Sequence, residues 1–144
     1  MKNERVVFSI IIPFKSWSYN LEECLMFIRK LTFKEFELIL LPDNEMTLIE
    51  EFRDLPVIIC PTGRVNPAVK RDLGAEKAKG LFFAFIDDDA YPQSDWLSVA
   101  IKIFKTKQEI GAIGGPAVTP KTDPFWARVS GSVFLSRLSG GFPE

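Results

Sequence analysis

The stretch LFFAFIDDD, residues 81–89, decides the fold of this chain, because an unbroken apolar run leads directly into three consecutive aspartates. The apolar run is too short for an ordinary helix, so it predicts a strand over residues 81–86 that is buried on both faces of a parallel sheet. Asp87, Asp88 and Asp89 then stand at the carboxyl end of that strand. Ligands of open α/β sheets bind at this edge, so the position of the aspartates predicts a functional site.

The chemistry of the three aspartates indicates what such a site binds. Neighbouring carboxylates repel one another, and burial against a Phe-rich strand adds a desolvation cost. A hard divalent cation relieves both costs. Because Mg²⁺ and Mn²⁺ bind through one or two carboxylates, waters and the oxygens of a substrate phosphate, the cluster predicts a metal together with a phosphorylated ligand. The alternative is a solvated acidic turn that caps the following helix.

The composition narrows the classes of protein that remain. The chain has 144 residues, enough for one domain with its own core, and 47% of them are hydrophobic. Lys and Arg number 18 against 19 Asp and Glu, which argues against a protein that binds nucleic acid through bulk charge. There is no histidine, so His-based triads and His metal ligands are excluded.

The cysteines and the hydropathy pattern predict a location. Cys24 and Cys60 lie in predicted core elements without C-x-x-C spacing, which is typical of buried thiols in a reducing compartment. No signal sequence or membrane-length apolar run is visible, so we expect a cytoplasmic protein. Peripheral association with the inner face of the cell membrane stays open for the full-length protein. The weakly amphipathic segment 125–138 predicts a surface helix, with a membrane-facing or acceptor-facing role as the alternative.

Strand and helix signals alternate along the chain. Besides the acidic strand, apolar and β-branched runs predict strands over residues 6–12, 36–41, 57–60 and 110–114. Amphipathic or capped segments predict helices over residues 20–31, 47–53, 67–79 and 94–104. This order is typical of right-handed parallel crossovers. The predicted fold class is therefore α/β, with a Rossmann-like, mostly parallel sheet and helices on both faces.

Capping signals predict where three of the helices begin. Asn20 with Glu23, and Thr47 with Glu50, have the spacing of capping boxes. Asn66 stands directly before a proline, which predicts an N-cap followed by Pro at the first helical position.

The predicted sheet brings three segments to one edge. The carboxyl ends of the first, second and acidic strands supply, in turn, residues 13–15, Asp43 with Asn44, and residues 87–89. No G-x-G-x-x-G or P-loop motif is present, so metal is expected to hold the phosphates. Local sequence leaves alternatives open, because Asp43 is equally typical of an ordinary turn, and Lys70 and Arg71 of a solvated helix surface.

Five segments in the same order resemble the family 2 glycosyltransferases of the GT-A fold. They are SIIIP at 9–13, ELILLPDN at 37–44, NPAVKRDLG at 66–74, the run 80–89 and GGP at 114–116. The resemblance implies an inverting enzyme that uses Mg²⁺ or Mn²⁺. It would transfer a sugar from a UDP-, GDP- or dTDP-sugar to a hydroxyl of a glycan or lipid-linked acceptor.

The resemblance also implies roles for the acidic cluster. In this family the cluster is the D-x-D-type motif, which implies that Asp89 binds the metal. Asp87 and Asp88 would contact the ribose or support the metal, and Asp87 is the second expected metal ligand.

A second set of roles concerns the nucleotide. By the same resemblance, Asp43 corresponds to the aspartate that contacts the base, and the backbone around Pro13 and Phe14 lines the same pocket. Arg71 matches the arginine of the family's A-R-N-x-G segment.

The chain also departs from the family pattern. Pro42 stands where a first aspartate is common, which puts the base preference in doubt, and Asp72 stands where Asn is usual. Family members continue past this length into an acceptor-binding segment. We therefore expect residues 1–144 to be one donor-binding domain that is inactive in transfer by itself, with the catalytic base beyond Glu144. Residues 119–120 and 130–136 resemble a branch associated with bacterial cell-envelope polysaccharides.

Two other functions stay open on the sequence. A metal-dependent nucleotidyltransferase would also place carboxylates at a strand end, but it commonly needs a glycine-rich loop near the first strand, which residues 14–17 do not provide. A non-catalytic nucleotide-sugar-binding module is the second alternative. A transfer assay separates it from the enzyme.

Overall fold

A computed structural model of the chain describes residues 6–116 and 118–134. The chain divides into two compact units, Met1–Thr106 and Lys107–Glu144. That residues 1–144 act as one donor-binding domain stays a prediction.

The first unit contains a four-stranded sheet in the order β3-β2-β1-β4, in which every neighbouring pair is parallel. The strands are β1 (Phe8–Pro13), β2 (Phe36–Leu41), β3 (Val57–Ile59) and β4 (Phe82–Phe85). The crossover from β3 to β4 passes the chain to the other side of β1, which places the end of the acidic strand beside the end of β1. The predicted parallel α/β sheet is confirmed.

The helices mostly follow their predicted positions. The first unit contains α1 (Tyr19–Arg29), a 3₁₀ turn (Glu50–Phe52), α2 (Pro67–Lys77) and α3 (Trp96–Thr106), and the second contains α4 (Phe125–Phe134). The predicted cap of α2 is confirmed, because the Asn66 side chain accepts a hydrogen bond from the Val69 amide at 3.0 Å. No helix in residues 6–116 and 118–134 has both the length and the apolar character needed to cross a membrane.

The two predicted capping boxes are wrong. The N-cap of α1 is Ser18 rather than Asn20, because the extended Ser18 backbone lets its hydroxyl accept from the Leu21 amide at 3.2 Å. The segment that begins near Thr47 forms only one 3₁₀ turn. Its N-cap position falls on Ile49, whose side chain cannot accept a hydrogen bond, so a longer helix is not nucleated.

Helices cover both faces of the sheet, as predicted. On one face the side chains of alternate strand residues form a core with α1 and α3; it includes Phe8, Ile10, Ile12, Leu38, Leu40, Leu25, Ile28 and Leu97. On the other face Ile11, Ile39 and Leu41 pack with Ala75 near the end of α2. Gly74 permits this close approach, since a Cβ there would lie 2.7 Å from Ile11 Cγ2.

The predicted burial of the acidic strand on both faces is wrong. Phe83 and Phe85 are 51% and 47% exposed, while Ala84 is buried and Phe82 stacks on Phe104 with ring centroids 4.4 Å apart. The reason is position, because β4 is the last strand of the described sheet and α2 packs over β1 and β2 instead. Within the described part of the first unit, one face of β4 is therefore covered, and no helix packs on the other.

The predicted strand over residues 110–114 is also wrong. These residues have no regular structure. Gly111 and Gly114 lower the strand propensity of the segment, and no described strand pairs with it. The helix predicted over residues 125–138 begins as expected at Phe125, and its last residues, 135–138, lie outside the described residues.

A buried network of hydrogen bonds joins the strands at the amino end of the sheet, opposite the acidic cluster. The Ser9 hydroxyl donates to Glu37 Oε1 at 2.6 Å, and the Lys79 amide donates to the same oxygen at 2.5 Å. The Gly80 amide donates to Ser9 Oγ at 2.9 Å. These bonds satisfy a carboxylate that is only 5% exposed, and they join β1, β2 and the connection between α2 and β4.

Candidate functional site

A cavity of about 690 Å³ opens at the carboxyl ends of the strands. Its size is that of a typical small-molecule site. The residues that line it come from the loops after β1, β2, β3 and β4 and from α2; they are Pro13, Phe14, Lys15, Ser16, Asp43, Asn44, Arg64, Val65, Pro67, Lys70 and Asp88. The structure thus brings together four of the predicted donor-binding residues, namely Pro13, Phe14, Asp43 and Asp88.

Backbone hydrogen bonds hold the loops of this cavity in place. The Asp43 amide donates to the Lys15 carbonyl at 3.1 Å, and the Gly63 amide donates to the Asp43 carbonyl at 3.0 Å. The loop after β2 is therefore bonded to the loops on both sides of it. Gly63 has φ of 73°, a left-handed conformation that glycine adopts at little cost, and this allows the third loop to turn back.

A buried ion pair forms part of the cavity wall. Lys70 is 3% exposed and Asp43 is 8% exposed, and Lys70 Nζ donates to Asp43 Oδ1 at 2.6 Å. The ammonium also donates to the carbonyls of Phe14 at 2.6 Å and Leu41 at 3.0 Å. A solvated position for Lys70 is therefore wrong. The signal that could have revealed it is spacing, because Lys70 lies four residues before the sheet-facing Gly74, on the same side of α2.

A second ion pair joins two predicted site residues outside the cavity wall. Arg71 Nη2 bonds to Asp87 Oδ1, with the Asp87 side chain 58% exposed. Arg71 therefore reaches from α2 to the loop after β4 and neutralises the first aspartate of the cluster. Asp89, the predicted metal ligand, is exposed and is not among the residues that line the cavity.

The electrostatics of the cluster disfavour further negative charge. The pKa of Asp88 is raised above its ordinary value, first by burial and then by the charges of Asp89 and Asp87. The pKa of the nearby Cys24 thiol is raised to about 12 by burial and by the charges of Asp88 and Asp89. Cys24 therefore stays protonated at neutral pH, which excludes it as a thiolate nucleophile.

The carboxylates suit only one kind of metal site. In the part of the chain that the structure describes, no three His, Cys, Asp or Glu side chains are grouped to hold a metal ion. A cation held wholly by protein side chains is therefore not supported in this part. The donors present, an Asp88 that faces the cavity and an adjacent Asp89, fit a Mg²⁺ or Mn²⁺ ion that takes its other ligands from water and a substrate phosphate. The metal roles of Asp87 and Asp89 stay predictions.

The family follows from a match over almost the whole chain. The model of glycosyl transferase family 2 matches residues 9–142. The chain therefore belongs to glycosyl transferase family 2, as the order of its motifs predicts. No curated protein matches the chain by sequence.

Solved structures with the same fold include several of TarS from S. aureus. TarS 1-349 has a TM-score of 0.64 and 22% identity, over 80% of this chain and 40% of that one. TarS has a TM-score of 0.62 and 24% identity, and the match covers 80% of this chain and 24% of that one. TarS 1-349 in complex with UDP has a TM-score of 0.59 and 25% identity, and the match covers 80% of this chain and 39% of that one. This likeness confirms the GT-A, Rossmann-like fold, and the aligned part of the chain spans well under half of each TarS chain.

Proposed function

We propose that this chain binds the nucleoside diphosphate sugar of an inverting, metal-assisted glycosyltransferase. The observation that carries the proposal is the cavity at the carboxyl ends of β1, β2 and β4, which combines the Asp43 carboxylate with Asp88 of the acidic cluster. Family membership supports the same activity. The structurally similar TarS has been crystallised with UDP and with UDP-GlcNAc, which favours a UDP-sugar among the candidate donors.

The residues of the cavity suggest how a donor would lie. Asp43 offers a charged acceptor for an N–H group of the base, beside the backbone of Pro13 and Phe14. Lys15 and Arg64 line the same cavity and supply positive charge for the diphosphate. Arg71 holds Asp87 and so positions the loop that carries Asp88 and Asp89. When bound, Mg²⁺ or Mn²⁺ would supply Lewis-acid stabilisation of the leaving diphosphate.

The acceptor half of the reaction is proposed on family grounds alone. An acceptor hydroxyl of a glycan or lipid-linked molecule needs a general base, typically worth about 10²- to 10⁴-fold, and no described residue is assigned that role. A base beyond Glu144 and a part in cell-envelope polysaccharide synthesis belong to the same proposal. Both cysteines are free thiols, which fits a cytoplasmic enzyme.

Isothermal titration of the 144-residue chain tests the donor-binding proposal. With Mn²⁺ present we expect UDP to bind, and UDP-sugars to bind at least as well, because the cavity combines the Asp43 carboxylate with the positive charges of Lys15 and Arg64. GDP, dTDP and their sugars serve as competitors, and Glu76→Ala, an exposed change on α2, serves as the control. The proposal is rejected if no nucleoside diphosphate binds. A transfer assay separates an enzyme from a non-catalytic binding module. We expect a longer chain to transfer sugar to an acceptor and the 144-residue chain not to do so.

Asp43→Asn is expected to weaken UDP binding by about 1.5 to 3 kcal/mol, the usual value of a hydrogen bond to a charged group. Asn preserves an oxygen for Lys70, whereas Asp43→Ala leaves a buried ammonium short of one acceptor and lowers stability as well. Titration of both variants, with thermal unfolding followed by circular dichroism, measures the two effects separately. Unchanged UDP affinity in a folded Asp43→Asn protein would show that Asp43 has only a structural role.

A further inference from the structure

We propose that Lys70 is a positioning residue for nucleotide recognition, which fixes the Asp43 carboxylate so that one of its oxygens is presented to the cavity at a defined point. The inference rests on the proposed function, since it concerns how the same cavity recognises the nucleotide. It assigns a role to a residue for which the sequence left a solvated helix position open.

The hydrogen bonds of Lys70 show how the position of Asp43 is set. An ammonium has three hydrogens, and those of Lys70 have three acceptors: the carbonyls of Phe14 and Leu41, and Asp43 Oδ1. Two of these acceptors are backbone atoms at the ends of β1 and β2, so the sheet fixes the place of Nζ. Asp43 is the only acceptor that can rotate. The sheet therefore fixes the ammonium, and the ammonium in turn fixes the position of the carboxylate.

The second oxygen of Asp43 is the one left for a ligand. Asp43 lines the cavity, and within residues 6–116 and 118–134 its side chain accepts one hydrogen bond, at Oδ1 from Lys70. Oδ2 is therefore the oxygen of this carboxylate that stays available as a charged acceptor. A base edge that offers an N–H group is the chemistry that such an atom recognises.

The energetics of buried ion pairs favour a positioning role over a purely stabilising one. Burying two charges carries a desolvation cost that their attraction often fails to exceed, so an apolar pair of similar size would stabilise the fold as well or better. The pair does, however, restrict the carboxylate to one rotamer. Rotation would separate the two charges while both side chains remain almost completely buried. Fixing an acceptor before the ligand arrives reduces the ordering cost of binding.

The test compares a ligand that has a base with one that lacks it. Lys70→Met in the 144-residue chain removes the ammonium and keeps most of the side-chain length. With Mn²⁺ present, we expect the affinity for UDP to fall about 10-fold or more, as for loss of a well-placed hydrogen bond to a charged group. The affinity for inorganic pyrophosphate, measured by competition against UDP, should change less than about 2-fold, because pyrophosphate makes no base contact. Equal losses for both probes would overturn the inference.

A double variant covers the case in which Lys70→Met leaves Asp43 as an unpaired buried charge and the protein does not fold. Asp43→Asn/Lys70→Met removes both charges. If Lys70 acts through Asp43, the double variant binds UDP about as well as Asp43→Asn alone; a further loss of about 10-fold would show an independent role and refute the inference. Absence of UDP binding by the unmodified chain would instead refute the proposed function itself.

Discussion

Gly80→Ala is expected to destabilise the protein by about 3 kcal/mol, at the upper end of what overpacking costs. A Cβ at this position would lie 2.5 Å from the Ser9 amide nitrogen and 2.7 Å from the Phe8 carbonyl carbon. Both are backbone atoms of β1, so no rotamer change can relieve the clash. The Gly80 amide would also be pushed away from Ser9 Oγ, to which it donates.

Urea unfolding followed by circular dichroism measures this effect, and two other glycines provide controls. Gly111→Ala adds a methyl group with no atom within 4 Å, so it should leave stability within about 0.5 kcal/mol. Gly74→Ala should fall between the two, because the atoms that its Cβ meets belong to the side chains of Ile11 and Leu41, which can shift. A Gly80→Ala protein as stable as Gly111→Ala would show that β1 and the connection before β4 are not in close contact.

Removal of divalent metal is expected to weaken UDP binding roughly 100-fold or more. A diphosphate that enters the cavity approaches Asp88, which lines it, and like charges about 4 Å apart repel by roughly 4 kcal/mol at an effective dielectric constant near 20. The raised pKa of Asp88, caused by burial and then by its two neighbouring carboxylates, shows that this region already disfavours negative charge. A bound divalent cation, held by Asp88 and Asp89, would replace this repulsion by attraction.

Titration of UDP with Mn²⁺ and then with EDTA measures the effect. Asp89→Ala should reduce the affinity in Mn²⁺ to near the EDTA value, since Asp89 is the expected ligand, and Asp88→Ala tests its neighbour in the cavity wall. Asp95→Asn, an exposed change after the cluster, is the control. Equal affinity in Mn²⁺ and EDTA would contradict metal-assisted binding. Normal binding by Asp89→Ala alone would move the ligand role to another carboxylate.

Local signals predicted most of the elements, because those signals lie within a few residues of their effect. Strand β2 ends at Leu41, immediately before Pro42, and α2 begins where Asn66 and Pro67 place it. The exposure of Phe83 and Phe85 could not be predicted in this way. An apolar run is the same in a central strand and in an edge strand, and the strands that decide between them come from distant parts of the chain.

The candidate site shows the same division between local and distant information. The sequence predicted that the carboxyl ends of three strands meet, and the cavity lies there. The spacing from Lys70 to Gly74 could have indicated that Lys70 faces the sheet, but the sequence could not identify its partner carboxylate, Asp43, which is 27 residues away. Nor could it show which aspartate of the cluster lines the cavity, since that depends on the turn that the backbone makes after β4. The structure places Asp88 there.

The buried Glu37 carboxylate has a consequence for how the sheet assembles. Its partners, Ser9 and the Lys79 amide, are 28 and 42 residues away, and the Gly80 amide meets Ser9 across 71 residues. No segment of the chain can satisfy this carboxylate by itself, so its loss of hydration is compensated only when β1, β2 and the start of β4 come together. Contacts between such distant residues slow folding. The network can therefore close only once all three segments are in place, and the ligand-binding edge at the other end of the same strands depends on that assembly.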